Sequence, residues 1–246
     1  MFVATIKIST LRDVLKVVNP IVSEMKITAI VDGLSIRVVD PGSVSMAAIE
    51  LSKEAFETYK STGVELGIDL ERLKEIVGIG KDSENMEMEL DPETNKLKCR
   101  IGQVTRRMGL IDATAIFTPR LPDIKPPALV KLATEDLAKG LKACSQVSGL
   151  VRVQVSEKGL QLSGESATDT VIMYLPVDQL IAHECKGGLY KSKFSHDFLY
   201  WANRAVPATV PVRLEVGTDY PLIMRWEIAG GHGSVIYMIA PRVEED

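Results

Sequence analysis

The amino-acid sequence predicts an α+β fold that is built twice, with two short helices on antiparallel sheets in each half. Three observations predict it. Hydrophobic and polar residues alternate over many short segments, four other segments carry hydrophobic residues at helical spacing, and one ungapped offset of 126 residues aligns the two halves. The length of 246 residues suffices for one large domain or two small ones.

The internal repeat rests on residues at structural positions. Leu137 falls on Leu11 of the first half, and Gly159 falls on Gly33. Residues 117–128 separate the halves and contain four prolines, each of which removes a backbone donor and fixes φ. We therefore predict an N-terminal domain over residues 1–117, a connector over 118–127 and a C-terminal domain over 128–246.

Within each half, the hydrophobic periodicity switches between that of strands and that of helices. In the first half it predicts helices over residues 10–19 and 69–77, and Asp32–Gly33 predicts a hairpin turn between alternating strands. The predicted apolar faces of the third and fourth helices consist of Leu137, Leu141, Cys144, Phe194, Phe198, Trp201 and Ala205. Alternating strands indicate sheets with one buried and one solvated face.

Composition excludes several classes of protein. With 46% hydrophobic and 25% charged residues, the chain is neither disordered nor fibrous. No apolar run approaches the roughly 18–20 residues of a membrane span, and no signal peptide is visible. Three scattered cysteines do not form a disulfide framework, so we expect a reducing cytoplasm. The net charge of -4 excludes a generally basic coat but not a local basic surface.

Basic residues recur on the polar faces of the predicted helices in both halves. Each of them alone suits an ordinary solvated helix face, where nearby acids are common. If the four helices share one surface, that surface is positive within an acidic protein, and lysine and arginine without clustered aromatics suit phosphate attraction rather than base reading. These residues are Arg12, Lys16, Arg72, Lys74, Lys81, Lys139, Lys142 and Arg204.

Catalytic and metal-binding motifs are sparse. The segment around Gly80-Lys81 fails the phosphate-loop pattern, because Glu75 and Asp82 stand where glycine and serine or threonine are needed. The glycine-rich residues 230–233 join two alternating runs and predict a hairpin rather than an oxyanion loop. His183 and Cys185 offer two ligands where structural zinc takes four. We expect no catalytic residues, no cofactor and no metal.

Three segments and the order of the whole chain resemble the DNA sliding clamps of the proliferating cell nuclear antigen (PCNA) type. The clearest is residues 32–46, DGLSIRVVDPGSVSM; residues 219–222, DYPL, and 240–245, APRVEE, are similar. The compact length and short acidic ending are more similar to archaeal members than to eukaryotic ones.

The resemblance implies a homotrimeric ring around duplex DNA, with the basic helices lining the hole. It further implies partners that include DNA polymerase, an ATP-dependent clamp loader and other replication and repair proteins. Subunits would pair through strand edges, Met108–Ala113 against Asp169–Leu175 of the neighbour. The interface residues carried over are Met108, Leu110, Ile111, Ala113, Asp169, Val171, Ile172 and Leu175.

The resemblance also implies a surface that docks short peptides with apolar anchors. It is contributed by four separated segments. The matching residues are Val39, Ser43, Val44, Met46, Leu121, Pro122, Ile124, Tyr220, Pro221, Ala240, Pro241, Arg242 and Val243.

The expected function is therefore that of a non-enzymatic processivity factor that tethers polymerases to DNA. Two alternatives lie within the same family: one subunit of a heterotrimeric clamp, and a damage-checkpoint clamp. A small enzyme with catalytic residues dispersed over distant loops is the alternative from a different class.

Overall fold

The computed structural model describes residues 1–242, and these form two compact units. The first unit consists of residues 1–41, 46–121 and 227–235. The second consists of residues 42–45, 122–226 and 236–242. The two units thus exchange short segments, whereas the boundaries predicted from the sequence are linear.

Residues 1–242 contain four α-helices and eighteen strands. The helices are α1 (Ile8–Val18), α2 (Leu70–Ile79), α3 (Thr134–Ser145) and α4 (His196–Ala205). The strands of the first half are β1 (Phe2–Lys7), β2 (Glu24–Ile30), β3 (Gly33–Val39), β4 (Ser45–Ser52), β5 (Thr58–Ser61), β6 (Val64–Asp69), β7 (Asn85–Asp91), β8 (Lys96–Ile101) and β9 (Val104–Gly109). Those of the second half are β10 (Ala128–Leu132), β11 (Leu150–Ser156), β12 (Gly159–Glu165), β13 (Thr170–Pro176), β14 (Ala182–Cys185), β15 (Leu189–Ser195), β16 (Val212–Val216), β17 (Leu222–Ile228) and β18 (Gly233–Ile239).

The strands form antiparallel sheets whose order repeats. In the first unit the orders are β5-β1-β7-β8-β9 and β4-β3-β2-β6. In the second unit they are β14-β10-β16-β17-β18 and β13-β12-β11-β15. If the nine strands of each half are numbered from one to nine along the chain, the two halves have identical strand orders. The predicted α+β class and duplication are confirmed.

The offset of 126 residues holds at the level of single elements. Strands β2 and β3 recur 126 residues later as β11 and β12 with the same lengths, and α2 recurs as α4. The predicted hairpin at Asp32–Gly33 is confirmed as well, since Ala29 in β2 lies opposite Leu34 in β3. The second half repeats it, with Val153 opposite Leu162.

Each unit buries one stripe of its helices. Helix α1 packs against α2 and β1, and α3 packs against α4 and strands β11, β12 and β13. Leu11, Val14, Leu15 and Val18 form the buried side of α1, as the spacing predicts. Helix α2 begins where the side chain of Asp69 accepts hydrogen bonds from the amides of Glu71 and Arg72, at 3.0 and 3.1 Å.

The predicted apolar face of the fourth helix is wrong at two positions. Phe194 lies in β15 rather than in the helix, where it is fully buried. Trp201 lies in α4 but is 40% exposed, because the buried stripe of this helix consists of Leu199, Ala202, Asn203 and Ala205. An aromatic residue in the sequence does not reveal which side of the helix it occupies until the helix start is known.

In each unit, a short segment after the last strand binds the edge of the second sheet. The amide of Ile111 donates to the carbonyl of Gly67 in β6 at 2.9 Å. The amide of Arg242 donates to the carbonyl of Lys193 in β15 at 2.8 Å. Gly67 and Lys193 are 126 residues apart, so this tie is part of the repeat.

None of the helices in residues 1–242 is long and apolar enough to cross a lipid bilayer.

The first residue of β3 and of β12 must be glycine for two reasons. Gly33 and Gly159 have φ angles of 149° and 141°, which side chains rarely adopt. A Cβ on Gly159 would lie 2.2 Å from the carbonyl oxygen of Leu175. Neither the backbone angle nor the close approach permits a larger residue.

Gly159→Ala is therefore expected to lower the free energy of unfolding by about 2–4 kcal/mol, from strain and overpacking combined. Urea unfolding followed by circular dichroism measures the effect. Gly149→Ala is the matched control in the same unit, since no atom lies within 4 Å of its added Cβ. Equal midpoints for the two variants would contradict this account of the turn.

Candidate nucleic-acid interface

The basic residues predicted from the sequence lie on the solvent side of the helices, opposite the buried stripes. Lys16 on α1, Lys74 on α2, Lys142 on α3 and Arg204 on α4 are all exposed. Lys81 is exposed too, but it follows the end of α2 at Ile79. Each unit thus presents basic side chains from both of its helices.

Half of these residues are already paired with acids of the same chain. Lys16 Nζ lies 2.9 Å from Asp13 Oδ1, and Arg72 Nε lies 3.3 Å from Asp69 Oδ2. Lys139 Nζ lies 3.7 Å from Glu135 and 3.5 Å from Asp136. Exposed pairs of this kind contribute about 0–1 kcal/mol, so a phosphate can compete for the cation.

Arg12 has a structural role. Its guanidinium pairs with Asp82 and donates to the carbonyl of Gly80 at 2.6 Å. These contacts join α1 to the residues that follow α2. Arg12 is half-buried, so it offers less charge to a ligand than its neighbour Lys16 does.

Four of the predicted residues make no ion pair within residues 1–242. They are Lys74, Lys81, Lys142 and Arg204. Their side-chain charges are not engaged in ion pairs with described residues, and they are therefore the strongest candidates for binding phosphate.

Sequence reasoning missed Arg106. It lies on β9, where its Nη1 atom donates to Glu75 Oε2 at 2.7 Å and to the carbonyl of Arg72 at 3.3 Å. With Lys74 and the loop at residues 19–24, it lines a cleft of about 820 Å³ beside α2. A search restricted to helix faces could not find it, because the contact between β9 and α2 is tertiary.

The predicted docking residues fall on both units. In the first unit, Val39 lies directly opposite Met46 in the β3–β4 ladder. In the second, the amide of Ala240 donates to the carbonyl of Val44 at 2.8 Å. Ser43, between these segments in sequence, has a φ of 54°, a strained conformation for a residue other than glycine.

Most of the apolar docking residues are half-buried, so each leaves part of its side chain accessible. They are Val39, Val44, Met46, Leu121, Ile124, Pro221, Ala240 and Pro241. Ser43, Pro122, Tyr220 and Arg242 are exposed. Val243 lies outside the described residues.

The two predicted interface segments, Met108–Ala113 and Asp169–Leu175, begin at or next to the outer strands of two sheets. Within the described chain, β9 ends the five-stranded sheet of the first unit and β13 ends the four-stranded sheet of the second. On β13, Ile172 is 60% exposed, whereas Leu175 is buried, as is Met108 on β9. Strand β9 ends at Gly109.

Residues beyond Gly109 are engaged within the chain. The amide of Leu110 donates to Asn95, that of Ile111 donates to Gly67, and Ala113 begins a short 3-10 helix. Strand β9 itself covers Val104–Gly109, and the predicted segment Met108–Ala113 begins within it and continues beyond its end. Asp169 is exposed and precedes β13, and Val171 is half-buried within it.

The cysteines do not provide activated thiols. Burial raises the pKa of Cys99 to about 12 and raises the pKa of Cys144 as well. The pKa of Cys185 is raised by burial and by the nearby Glu157 carboxylate. Each thiol is therefore protonated at neutral pH and is a weak nucleophile.

The histidine and cysteine that the sequence offered as metal ligands have other surroundings. His183 Nε2 lies 2.8 Å from the carbonyl oxygen of Ser156. Residues 1–242 contain no cluster of three or more His, Cys, Asp or Glu side chains that could hold a metal ion.

Comparisons with known proteins identify the family. The model of the proliferating cell nuclear antigen N-terminal domain matches residues 1–108. The chain is 36% identical over its whole length to the DNA polymerase sliding clamp of Halobacterium salinarum and 33% identical to that of Methanococcoides burtonii, and it covers each relative completely. The chain belongs to the DNA polymerase sliding clamp family.

Solved structures agree. The A. fulgidus PCNA, in complex with the C-terminal region of FEN-1, has a TM-score of 0.94 and 27% identity, with both chains fully covered. The PCNA of Thermococcus kodakaraensis has a TM-score of 0.91 over 98% of this chain, and at 20% identity this likeness supports the fold alone. The protein is thus a sliding clamp of the archaeal kind.

For a sliding clamp, the pairing of the basic residues has a direct consequence for salt dependence. A lysine that neutralises a phosphate releases counterions, and each such contact contributes about −0.9 to the slope of log K against log salt. A lysine already paired with acids of its own chain contributes less, because its counterions were displaced on folding.

Lys142→Ala is expected to reduce that slope by about 0.9, and Lys139→Ala is expected to reduce it by less. Fluorescence anisotropy with a labelled duplex at several salt concentrations measures both slopes. Lys125→Ala is the control, since this lysine lies in the connector and 85% of its side chain is exposed. A larger change for Lys139→Ala than for Lys142→Ala would overturn the assignment.

Proposed function

We propose that this sliding clamp is a homotrimer that encircles duplex DNA and tethers DNA polymerase without catalysing a reaction itself. One observation carries the proposal: among the described residues, β9 ends a sheet of the first unit and β13 ends a sheet of the second, and both leave an outer edge unpaired, as the four-residue strands β5 and β14 also do. Two different edges on one chain support a head-to-tail contact between subunits. Such contacts form a closed ring when the rotation from each subunit to the next adds up to a full turn.

The physical basis of the contact is backbone hydrogen bonding. An outer strand leaves a row of N–H and C=O groups unpaired, and such an edge is a template for another chain. Strand β13 also exposes Ile172, and Tyr174 is 48% exposed. Pairing β9 of one subunit with β13 of the next would satisfy these groups and bury apolar surface.

In such a ring the basic helices would face the DNA. Weak contacts with phosphates do not depend on sequence, so the clamp can slide without a preferred register. Ring closure, rather than affinity, then supplies the residence time on DNA. The acidic net charge of -4 discourages DNA from binding other surfaces.

Two classes of partner follow from this topology. A closed ring must be opened before it can encircle DNA, so we infer an ATP-dependent clamp loader as a partner. Polymerases and other replication and repair proteins would dock through short apolar peptides, as the similar A. fulgidus clamp binds the C-terminal region of FEN-1. The half-buried connector residues Leu121 and Ile124 are suited to apolar anchors.

Topological retention is the direct test of the function. Clamp loaded on a nicked circular plasmid should remain bound through gel filtration and should dissociate when the plasmid is cut to a linear form. Equal loss from circular and linear DNA would contradict encirclement and would favour the enzyme alternative.

Light scattering of the free protein should give a mass near 81 kDa, three times the chain mass of 27.0 kDa. Ile172→Lys places a charge on the proposed edge and is expected to shift the mass toward the monomer at micromolar concentrations. Ile30→Lys is the control, because Ile30 is 54% exposed but lies in β2, between β3 and β6.

An unchanged mass for Ile172→Lys would remove β13 from the interface. A stable 27.0 kDa wild-type monomer would instead favour a subunit of a heterotrimeric or checkpoint clamp. In that case, mixing with candidate partner chains should restore a larger mass.

Peptide docking and DNA binding should be separable. Ile124→Asp is expected to weaken binding of a labelled peptide carrying the FEN-1 C-terminal region by about tenfold, because a buried apolar anchor is worth at least 1.4 kcal/mol. Lys142→Glu should leave peptide binding unchanged and weaken the binding of a labelled duplex. Isothermal titration and fluorescence anisotropy measure the two properties, and a coupled loss in both variants would contradict separate surfaces.

A further inference from the structure

Helix α4 differs in surface chemistry from its repeat counterpart α2. By the offset of 126, Tyr200 and Trp201 stand where α2 has Lys74 and Glu75. Both aromatic residues are exposed, Tyr200 by 43% and Trp201 by 40%. The other tryptophan, Trp226, is only 4% exposed. The second half therefore carries an aromatic surface at a position where the first half carries charges.

The aromatic side chains form a row along the helix. The rings of Tyr200 and Trp201 have centroids 5.3 Å apart at an interplanar angle of 68°. His196 stacks on Tyr200 at 5.9 Å and 23°. The guanidinium carbon of Arg204 lies 5.9 Å from the centroid of the Trp201 ring. We call these four residues the aromatic row.

The helix that carries the aromatic row is packed on its other side. Leu199, Ala202 and Ala205 bury the opposite side of α4, and α3 packs beside it. Tyrosine and tryptophan have only two rotatable side-chain torsions, so they lose little conformational entropy on binding. Arg204 makes no ion pair within the described chain, so a cation lies next to the exposed ring of Trp201.

We propose that the aromatic row stacks with an unpaired base of single-stranded DNA. The proposal rests on the proposed function, which has α4 face the DNA. Every base has a π face, so stacking tolerates any sequence, as a sliding protein requires. In a duplex those faces are covered by neighbouring base pairs, and therefore the row distinguishes single strands from duplex. Arg204 would bind the adjacent phosphate.

Charge favours a nucleic acid over a second protein as the occupant. Lys142 on the neighbouring helix is exposed and has no ion pair in residues 1–242. Asp197 is the nearest acid on α4, and its carboxylate lies 3.6 Å from His196 Nδ1, at the end of the row opposite Arg204. The cationic end and the exposed tryptophan thus offer an anion site beside a stacking site.

Tryptophan fluorescence tests the proposal directly, because the chain has two tryptophans and only Trp201 is exposed. In wild-type protein, oligo-dT should quench the part of the tryptophan emission that iodide also quenches. A duplex with the same number of nucleotides should not quench it. In Trp226→Phe, the whole emission should respond to oligo-dT. The iodide measurement on wild-type protein keeps the test valid if Trp226→Phe fails to fold.

Affinity measurements separate stacking from packing. Trp201→Ala is expected to weaken oligo-dT binding about fivefold or more, and Trp201→Phe should retain most of the affinity, since a phenyl ring still stacks. Phe117→Ala is the matched control, because Phe117 is 75% exposed outside the helices. Retention on nicked circular DNA should be the same for Trp201→Ala and wild type.

Unchanged oligo-dT affinity in Trp201→Ala, or no quenching by oligo-dT, would overturn the proposal. Burial of Trp201 with rising protein concentration and no DNA would also overturn it and would identify a contact between copies of the chain. Failure of the proposed function itself is recognised separately, by loss of wild-type clamp from circular DNA.

Discussion

Backbone hydrogen bonding at strand edges is the constraint on which the rest of the structure depends. Nearly every segment between the helices is a strand, and each sheet must end somewhere. In each unit one edge is tied within the chain: β6 binds Ile111, and β15 binds Arg242. The outer edges of β9 and β13 have no such tie among the described residues. The assembly we propose follows from those two edges, and the hole that DNA occupies follows from the assembly.

Charged side chains are distributed unevenly over the surface of the protein. The protein is acidic overall, yet the solvent sides of the helices carry lysine and arginine. Half of those cations are already neutralised by acids one helical turn away or across a loop, as Asp82 neutralises Arg12. The free charge is therefore concentrated on a few residues, Lys142 and Arg204 among them. A clamp gains from this arrangement, because strong attraction to phosphate would slow its sliding.

The sequence predicted the fold well because alternation and helical spacing are local properties. Most strands, the four helices and the repeat were identified from them. Tertiary contacts could not be identified from these local patterns. Arg106 reaches α2 from a strand, and Ile111 leaves β9 to bind Gly67, neither of which has a local pattern. Trp201 was assigned to the core because hydrophobic character alone cannot tell an exposed ring from a buried one.

The two halves share a backbone but not a surface. Helices α2 and α4 occupy equivalent positions, and both bury a leucine there, Leu73 and Leu199. Two adjacent outward positions differ completely: they carry Lys74 and Glu75 in one helix, Tyr200 and Trp201 in the other. A duplication leaves the buried stripe under selection for stability in both copies, while the outward side of each copy is free to acquire its own role. In a ring of three such chains, the backbone fold would repeat six times, whereas the surface chemistry would repeat only three times.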